Sequence, residues 1–404
     1  MEAVVKRLIL KRFRSFPSDC VDFDNPTFLV GRNGAGKSNF VRAFSFLADA
    51  MASPLQAVFD KLGGIEVVRN RTSGRSYPPN LGMAVVLGPV NKTILGGRFA
   101  FEIKALPNYG FEVLREQCEV RTYDGGHHWF DRGRKFETNA GGLKPSLDPA
   151  SLCLPVVGGD DRFAPVLRAL SAMRVYSIEP GRLREMQEPD PGTALRPDGS
   201  NAASVLEEVR RQDDDQFKRV CELLATIVPN TREVRSKKHG NKLSLEFTQE
   251  WGKNKRLKFE AFNMSDGTLR ALGLLMAVFQ RPAPTLLAIE EPESTIHPGA
   301  LGAVLDLIRH ASRSMQVVIT THSPEVLDAQ WIEDRHLRIV SWDEGASRTL
   351  LPSQATREAL KEHLMGAGEL LRADALRPEE VFKDRQDLIQ GKLFEDLRES
   401  GRIV

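Results

Sequence analysis

One stretch near the N-terminus constrains the fold of this chain more than any other. The residues GRNGAGKS, from Gly31 to Ser38, satisfy the spacing G-x-x-x-x-G-K-[ST] in full. The apolar run PTFLV precedes them, and the following residues SNFVRAFSFLADAM place apolar side chains at helical spacing. A strand, a glycine-rich loop and a helix in this order predict a phosphate site formed by backbone N–H groups and a helix N-terminus.

The residue types in the loop suggest a role for each position. Glycines allow the backbone to turn its N–H groups inward onto phosphate oxygens. We expect Lys37 to reach the β- and γ-phosphates and the Ser38 hydroxyl to ligate Mg²⁺. A chance glycine turn is the alternative, and the matching flanks disfavour it. The candidate nucleotide-binding residues of the loop are Gly31, Asn33, Gly34, Gly36, Lys37, Ser38 and Asn39.

Two adjacent acids follow an apolar run in the second half of the chain. Thr285–Ile289 is continuously apolar, as in a central parallel strand, and Glu290 and Glu291 come directly after it. Beside a phosphate loop, one such acid holds Mg²⁺ and the next orients and deprotonates the attacking water. We assign Glu290 to Mg²⁺ and Glu291 to the base. An ordinary charged turn is the alternative, and the loop makes it less attractive.

Another predicted buried strand, Val317–Thr320, leads to His322. A histidine at a strand end near a phosphate site can donate a hydrogen bond to the γ-phosphate. The alternative is a surface or capping histidine, because the Ser-Pro step that follows is also a good helix start.

Ser265 and Gly267 stand just before the apolar helix predicted over Leu269–Phe279. A serine hydroxyl and a glycine at a helix start form a second N-terminus suited to an anion. One nucleotide does not need two such sites from one chain, so the second site suits a phosphate held by another copy. The alternative is an ordinary capped helix.

Taken together, the segments GRNGAGKSNF, NMSDGTLRALGLL, LLAIEEPESTIHPGAL and VVITTHSPEVLD resemble the ABC-type ATPase heads of SMC, RecF and OLD-like proteins. The resemblance is greatest to compact RecF-like AAA ATPases of bacteria. It implies an α/β P-loop NTPase fold of ABC/SMC-head type, with ATP and Mg²⁺ as cofactors. It also implies a head-to-head dimer in which Ser265 and Gly267 contact the ATP of the other subunit and His322 is the switch histidine. Asp266 and Glu290 replace residues that are usually glycine and aspartate in these families.

The rest of the chain is expected to be compact. We predict a first head segment at 1–50, a mixed α/β insertion with β-hairpins at 51–196, a second head segment at 197–350 and a helical tail at 351–404. No sustained heptads run between the loop and Ser265, so the long coiled coils of SMC proteins are not expected. Gln187 is a candidate for the glutamine that lines the nucleotide in this family.

Composition limits location and partners. The formal net charge is only +2, so overall charge does not indicate nucleic-acid binding. No apolar run is long enough for a membrane span, and the four cysteines are scattered without metal-ligand spacing. These features predict a cytoplasmic protein with reduced thiols and no membrane partner. The basic segment Arg232–Lys258, with Trp251, predicts a DNA contact; a solvated strand face or a patch for an acidic partner is the alternative.

Several functions remain open at this stage. An ATPase head without a second catalytic domain suggests a homodimer or higher oligomer that senses nucleic acid and controls an effector protein, a nuclease or toxin. By family analogy, such proteins act in bacterial anti-phage defence. A RecF-like ATPase of DNA repair or recombination is the main alternative. A binding module that uses ATP only as a dimer switch is a third, and the insertion disfavours a transporter ATPase.

Overall fold

The structure is a computed structural model that describes residues 4–70, 80–90, 93–251, 255–380, 393–395 and 397. The chain divides into two compact units. The P-loop unit carries the glycine-rich loop and comprises Glu2–Met173, Asp334–Glu358 and Leu376–Val404. The signature unit carries Ser265 and comprises Arg174–Glu333 and Ala359–Ala375.

Strands and helices alternate irregularly along the chain. The strands of the described part are β1 (Val5–Phe13), β2 (Phe16–Asp22), β3 (Thr27–Val30), β4 (Asn80–Leu87), β5 (Ile94–Ala105), β6 (Phe111–Thr122), β7 (His127–Arg132), β8 (Phe136–Thr138), β9 (Arg174–Tyr176), β10 (Thr231–His239), β11 (Lys242–Trp251), β12 (Lys255–Glu260), β13 (Leu286–Glu290), β14 (Gln316–Thr321), β15 (Leu337–Asp343) and β16 (Ala346–Leu350). Its α-helices are α1 (Lys37–Ala52), α2 (Leu55–Lys61), α3 (Ile65–Val68), α4 (Leu154–Val157), α5 (Ala164–Ser171), α6 (Pro180–Arg184), α7 (Ala202–Gln212), α8 (Asp214–Ile227), α9 (Asp266–Phe279), α10 (Pro298–Ala311), α11 (Pro324–Leu327), α12 (Gln354–Lys361) and α13 (Ala367–Arg372).

An antiparallel sheet of seven strands, in the order β2-β1-β4-β5-β6-β7-β8, forms the larger sheet of the P-loop unit. Its longest pairing is the hairpin of β5 and β6, where Ala100 lies opposite Gln117. The β-hairpins predicted within residues 51–196 are therefore present, formed by β5 to β8. The central strands are covered on both faces over part of their length, since Leu81–Val85 on β4 are all buried.

Helix α1 is fixed to this sheet by aromatic packing. The ring of Phe46 on α1 lies 5.9 Å from that of Phe13, 5.6 Å from that of Phe59 and 6.3 Å from that of Phe101, measured between ring centroids. Each fully buried phenylalanine contributes about 2 to 3 kcal/mol relative to an exposed one. The helix that follows the glycine-rich loop is thus held by residues from three other elements.

Two strands near the C-terminus complete the surroundings of β3 within the P-loop unit. Strand β15 runs parallel to β3, with Leu337 opposite Phe28 and Ile339 opposite Val30, and β16 pairs antiparallel to β15. Because Val30 directly precedes the glycine-rich loop, these late strands lie beside the start of the loop.

The signature unit contains parallel strands in the order β9-β13-β14. The run LLAI at the start of β13 is buried, as expected for a parallel strand covered on both faces. Helices α9 and α10 pack against each other, and α10 also packs against β14. A separate antiparallel sheet of β10, β11 and β12 lies against α7 and α8.

The elements predicted around the site are confirmed with small changes. Strands β13 and β14 cover the predicted runs 285–289 and 317–320 closely. The helix predicted from Leu269 begins three residues earlier, because the Ser265 side chain caps it and Asp266 and Gly267 join its first turn. The basic segment lies on the three antiparallel strands β10, β11 and β12. In the described residues the longest helix has 16 residues, too short for coiled-coil arms.

The segment boundaries at 50, 196 and 350 stay predictions. Helices α12 and α13 give the start of the predicted helical tail its structure. Most of the charged stretch RPEEVFKDRQDLIQGKLFEDLRES, residues 377–400 of the predicted helical tail, falls on residues 381–392, 396 and 398–400, which lie outside the described residues.

A buried carboxyl group in the P-loop unit generates a prediction on pH and stability. Asp19 on β2 is 1% exposed, and burial raises the pKa of its carboxyl from 3.8 to about 7, opposed by Thr349 and Arg348. Because the folded-state pKa is the higher one, this carboxyl favours folding at acid pH. That contribution is lost as pH rises from about 4 through about 7.

We therefore expect Asp19→Asn to flatten the pH dependence of stability. Relative to the variant, the wild-type protein should lose roughly 1 kcal/mol of unfolding free energy per pH unit between about pH 4 and about pH 7. Denaturant unfolding at a series of pH values measures this, with the exposed Asp161→Asn as control. Parallel curves for wild type and Asp19→Asn would contradict the prediction.

Candidate active site

The glycine-rich loop joins β3 to α1 within the P-loop unit, as the sequence predicts. Gly34 and Gly36 have φ values of 79° and 111°, in the left-handed region that favours glycine. A Cβ atom on Gly36 would lie 2.3 Å from the Ser347 hydroxyl oxygen, and one on Gly31 would lie 2.2 Å from the carbonyl oxygen of Val340. Both positions therefore exclude a side chain, because β15 and β16 support the loop closely from behind.

Lys37 lies at the first position of α1 and is 5% exposed. Its ammonium group donates to the carbonyl oxygens of Gly31, at 2.8 Å, and Arg32, at 3.2 Å. The side chain thus reaches back across the loop. Ser38 is exposed in the first turn of the helix, as are Asn33 and Gly34 in the loop.

These features fit a bound phosphate chain. The glycines leave the backbone N–H groups uncovered, the helix N-terminus supplies a partial positive charge and the lysine supplies a full one. Asn39 has a different environment, since its amide nitrogen donates to the Ser15 hydroxyl at 3.0 Å. That bond ties α1 to the turn between β1 and β2.

Glu290 and Glu291 lie where the sequence predicts, at the end of β13 in the signature unit. Glu290 is the last strand residue, and Glu291 follows with φ of 45°. A non-glycine residue in this region costs about 1 to 2 kcal/mol and needs support. Its backbone N–H donates to the carbonyl oxygen of Thr320 at 3.0 Å and lies 3.2 Å from the Thr320 hydroxyl oxygen.

Arg270 adds support from inside the protein. Its guanidinium donates to the carbonyl oxygens of Ile178, Glu290 and Glu291 at 2.7, 3.1 and 2.7 Å. The residue is 7% exposed, and burial lowers the pKa of its guanidinium, an effect that Glu293, Glu291 and Glu290 oppose. Arg270 therefore fixes the backbone from which both candidate catalytic carboxylates project.

His322, just past β14, lies beside Glu291. The imidazole Nδ1 is 3.1 Å from the Glu291 carboxylate oxygen, and both side chains are partly exposed. The structure thus brings together the predicted base and the predicted switch histidine. A hydrogen bond between them fixes the carboxylate and uses one of the two ring nitrogens.

Glu293 is a third acid in this turn, which the sequence analysis did not single out. Burial raises the pKa of its carboxyl, and the nearby Glu291 adds to the rise. The Thr321 hydroxyl donates to Glu293 at 2.7 Å and accepts from the Ser323 backbone N–H at 3.0 Å. The acids of EEPE, residues 290–293, are the feature of the sequence that could have indicated Glu293.

The Ser265 side chain accepts a hydrogen bond from the Thr268 N–H at 3.2 Å and so caps α9. A Cβ on Gly267 would lie 2.7 Å from the carbonyl oxygen of Thr295, in the turn that follows Glu291. Gly267, one of the predicted signature residues, therefore packs against the turn that follows Glu291. This close packing gives Gly267 a structural reason in addition to its predicted role.

Asp266, the unusual second residue of the signature, forms an ion pair. Its carboxylate accepts from the Arg184 guanidinium at 2.6 Å, and the same guanidinium donates to the carbonyl oxygen of Met264 at 3.1 Å. Arg184 is a second residue that the sequence analysis did not identify, because it lies some 80 positions from its partner.

Gln187, the candidate for the glutamine that lines the nucleotide, is a buried residue near the start of α7. It is 3% exposed, its side-chain oxygen accepts from the Ala203 N–H at 2.8 Å, and its backbone exchanges two hydrogen bonds with Leu243. In this arrangement the side chain serves the start of α7.

The basic segment Arg232–Lys258 forms most of the three-stranded sheet, and acids on the same face balance many of its cations. The ion pairs are Arg232 with Glu250 at 2.6 Å, Arg235 with Glu233 at 2.7 Å, Lys237 with Glu260 at 2.5 Å, and Lys258 with Glu246 at 2.7 Å. The net positive charge of this face is therefore smaller than the sequence suggests. Trp251, at the end of β11, is 68% exposed.

Comparison with known proteins shows what the chain is similar to. No curated protein matches the chain. A family model described as "AAA domain, putative AbiEii toxin, Type IV TA system" matches residues 27–113 and 180–328, more than half of the chain. The matched ranges include the glycine-rich loop, Ser265, Glu291 and His322. Among the described helices, none has the length and apolar character that crossing a bilayer requires.

Two solved structures are similar in fold. An SMC head bound to the C-winged helix domain of ScpA matches with a TM-score of 0.51 and 14% identity, over 86% of this chain and 96% of its own. An Smc head domain with an extended coiled coil, bound to the C-terminal domain of ScpA derived from Pyrococcus furiosus, matches with a TM-score of 0.52 and 13% identity, over 90% of this chain and 100% of its own. At these identities the likeness shows the fold, that of a P-loop NTPase of SMC-head type.

The family match and the fold agree with the motifs and their order. The chain therefore belongs to the AAA-domain family that this model describes, and it has the fold of the SMC heads.

Proposed function

We propose that this protein is a magnesium-dependent ATPase that dimerises head to head around ATP and thereby controls a partner effector in bacterial anti-phage defence. The observation that carries the proposal is the geometry of Glu291. Its backbone is fixed by Arg270 and Thr320, and its carboxylate lies 3.1 Å from His322. A strand end that holds a carboxylate this firmly suits a base that must align one water molecule.

The residues of each copy divide the work of hydrolysis. Lys37 and the backbone of Gly31–Ser38 bind the β- and γ-phosphates, and Glu291 accepts a proton from the water that attacks the γ-phosphorus. The bond from that phosphorus to the bridging oxygen breaks and ADP leaves with that oxygen. His322, with both ring nitrogens protonated, donates from one to Glu291 and from the other to the γ-phosphate. Mg²⁺, held by Ser38 and Glu290, would neutralise charge on the phosphate oxygens.

The head-to-head dimer rests on the second helix N-terminus. Ser265 and Gly267 open α9, a 14-residue helix, and we propose that they contact the γ-phosphate bound by the other copy. The close packing of Gly267 against Thr295, in the turn after Glu291, supports a link between dimer contact and hydrolysis.

Replacing Lys37 tests the nucleotide site. We expect Lys37→Ala to weaken ATP binding by about 100-fold, because a phosphate group loses its charged hydrogen-bond donor. Titration with a fluorescent ATP analogue measures the affinity, and Lys61→Ala, an exposed lysine of the same unit, is the matched control. Unchanged affinity in Lys37→Ala would remove the loop from the proposed site.

Replacing Glu291 tests the base. We expect Glu291→Gln to bind ATP normally but to hydrolyse it about 100-fold more slowly or worse, since the amide cannot accept the proton. Light scattering should then show a mass that doubles on adding Mg-ATP. Wild-type turnover in this variant would refute the assignment of the base, and a mass indifferent to ATP would count against the ATP-dependent dimer.

The effector part of the proposal rests on similarity to other proteins. The family description refers to a toxin–antitoxin system, and the two similar SMC heads are bound to a second protein, ScpA. We propose that an equivalent partner, a nuclease or toxin, docks on this chain and reads its nucleotide state in the cytoplasm. The tail beyond Leu351 is our candidate docking segment.

We propose that DNA is sensed through the edge strand β12. Lys255, Arg256, Leu257 and Lys258 are consecutive exposed residues there, and Trp251 lies at the end of the neighbouring strand. Cations with an exposed aromatic ring suit a nucleic-acid backbone, although the ion pairs of this sheet limit the charge available.

Short duplex DNA should therefore raise ATP turnover of the wild-type protein, and added salt should abolish the increase. The double variant Lys255→Glu, Arg256→Glu should lose the stimulation and keep the basal rate, with Lys61→Glu as control. A turnover that ignores DNA at low salt would end this part of the proposal while leaving the ATPase intact.

A further inference from the structure

The aspartate in the signature creates an electrostatic problem for the proposed dimer. Asp266 is the first residue of α9, directly after the cap Ser265. At this position a carboxylate interacts favourably with the helix dipole, but it also places a negative charge where a phosphate would bind. Like charges a few ångströms apart repel each other, so an unpaired Asp266 would oppose the very contact that Ser265 and Gly267 are proposed to make.

Arg184 forms an ion pair with Asp266 and so compensates its negative charge. Its guanidinium lies 2.6 Å from the Asp266 carboxylate and 3.1 Å from the Met264 carbonyl oxygen. It therefore binds the residues directly before and after the cap Ser265. The side chains of Arg184 and Asp266 are 31% and 53% exposed, so the pair lies at the surface where a second molecule can approach.

The position of Arg184 is set by its own element. Arg184 ends α6, whose Leu183 is fully buried, and α6 packs against α9 and against the short turn that precedes it. Arg182, two residues earlier in α6, has other partners: it lies within 4 Å of Glu179, Glu185 and Asp198. Of these two arginines, Arg184 pairs with the signature and Arg182 pairs with acids outside it.

We propose that Arg184 is a positioning residue of the signature: it cancels the charge of Asp266, so that the start of α9 accepts the γ-phosphate of ATP bound by a second copy. This inference rests on the proposed head-to-head function and deepens it. Arg184 acts through Asp266, and the pair replaces the uncharged residue usual at this position.

A double-mutant cycle in the Glu291→Gln background tests the inference. We expect Arg184→Ala to raise the ATP concentration needed for half-maximal dimer formation by about tenfold, because Asp266 is then unpaired. Adding Asp266→Asn should return that concentration to within about twofold of the parent, because no uncompensated charge remains. Light scattering against ATP concentration is the measurement, and Arg182→Ala is the matched control.

Salt separates charge compensation from a purely structural role. At about 0.5 M NaCl the defect of Arg184→Ala should shrink, because exposed charges are screened over a few ångströms. Thermal unfolding of each variant, measured alongside, shows that the fold is intact; if Arg184→Ala unfolds, Arg184→Gln takes its place.

The outcomes are distinguishable. If the Glu291→Gln parent does not dimerise with ATP, the proposed dimer fails and this inference fails with it. If the parent dimerises and Arg184→Ala behaves like it, only the inference is overturned. A defect that Asp266→Asn does not rescue also overturns it, because Arg184 would then act on the phosphate directly or by another route.

Discussion

One guanidinium in the signature unit donates hydrogen bonds to three backbone carbonyl groups from two separate segments. Arg270 on α9 binds the carbonyl oxygens of Ile178, Glu290 and Glu291, and so joins the strand ends of β9 and β13 to the signature helix. A buried cation is costly unless it is paired, and here the nearby acids of the turn sustain its charge. The left-handed backbone of Glu291, its contact with His322 and the start of α9 are consequently parts of one connected arrangement.

The two candidate anion sites of this chain are built by different means. The glycine-rich loop uses exposed backbone, with positions Gly31 and Gly36 closed to side chains by β15 and β16. The start of α9 uses a serine cap and a charged pair, Asp266 with Arg184. The first site carries the positive charge of Lys37, and the charged pair of the second site is close to neutral. A phosphate is therefore expected to bind first and most tightly at the loop, with α9 contributing only when a second copy arrives.

Sequence reasoning found the elements that repeat a local pattern and missed those formed by distant pairs. The loop, the strand that ends in Glu290 and the cap at Ser265 are each written in consecutive residues, so periodicity and spacing revealed them. Arg184 and the supports of the loop in β15 and β16 were missed, because nothing local links them to their partners. Arg270 could have been noticed, since it is a lone cation in an apolar helix. The ion pairs of the basic sheet could not, because no sequence pattern shows which acid faces which cation.

The support of the loop by β15 and β16 has a consequence for biosynthesis. Val340 and Ser347 are translated long after Gly31 and Gly36, whose backbone they pack against. While the ribosome is still adding the middle of the chain, the emerging N-terminal segment lacks the strands that shape its loop. Nascent or prematurely terminated chains that end before β15 therefore carry the complete motif but not the supported loop. The backbone packing behind the glycine-rich loop is thus completed only after β15 and β16 have been synthesised.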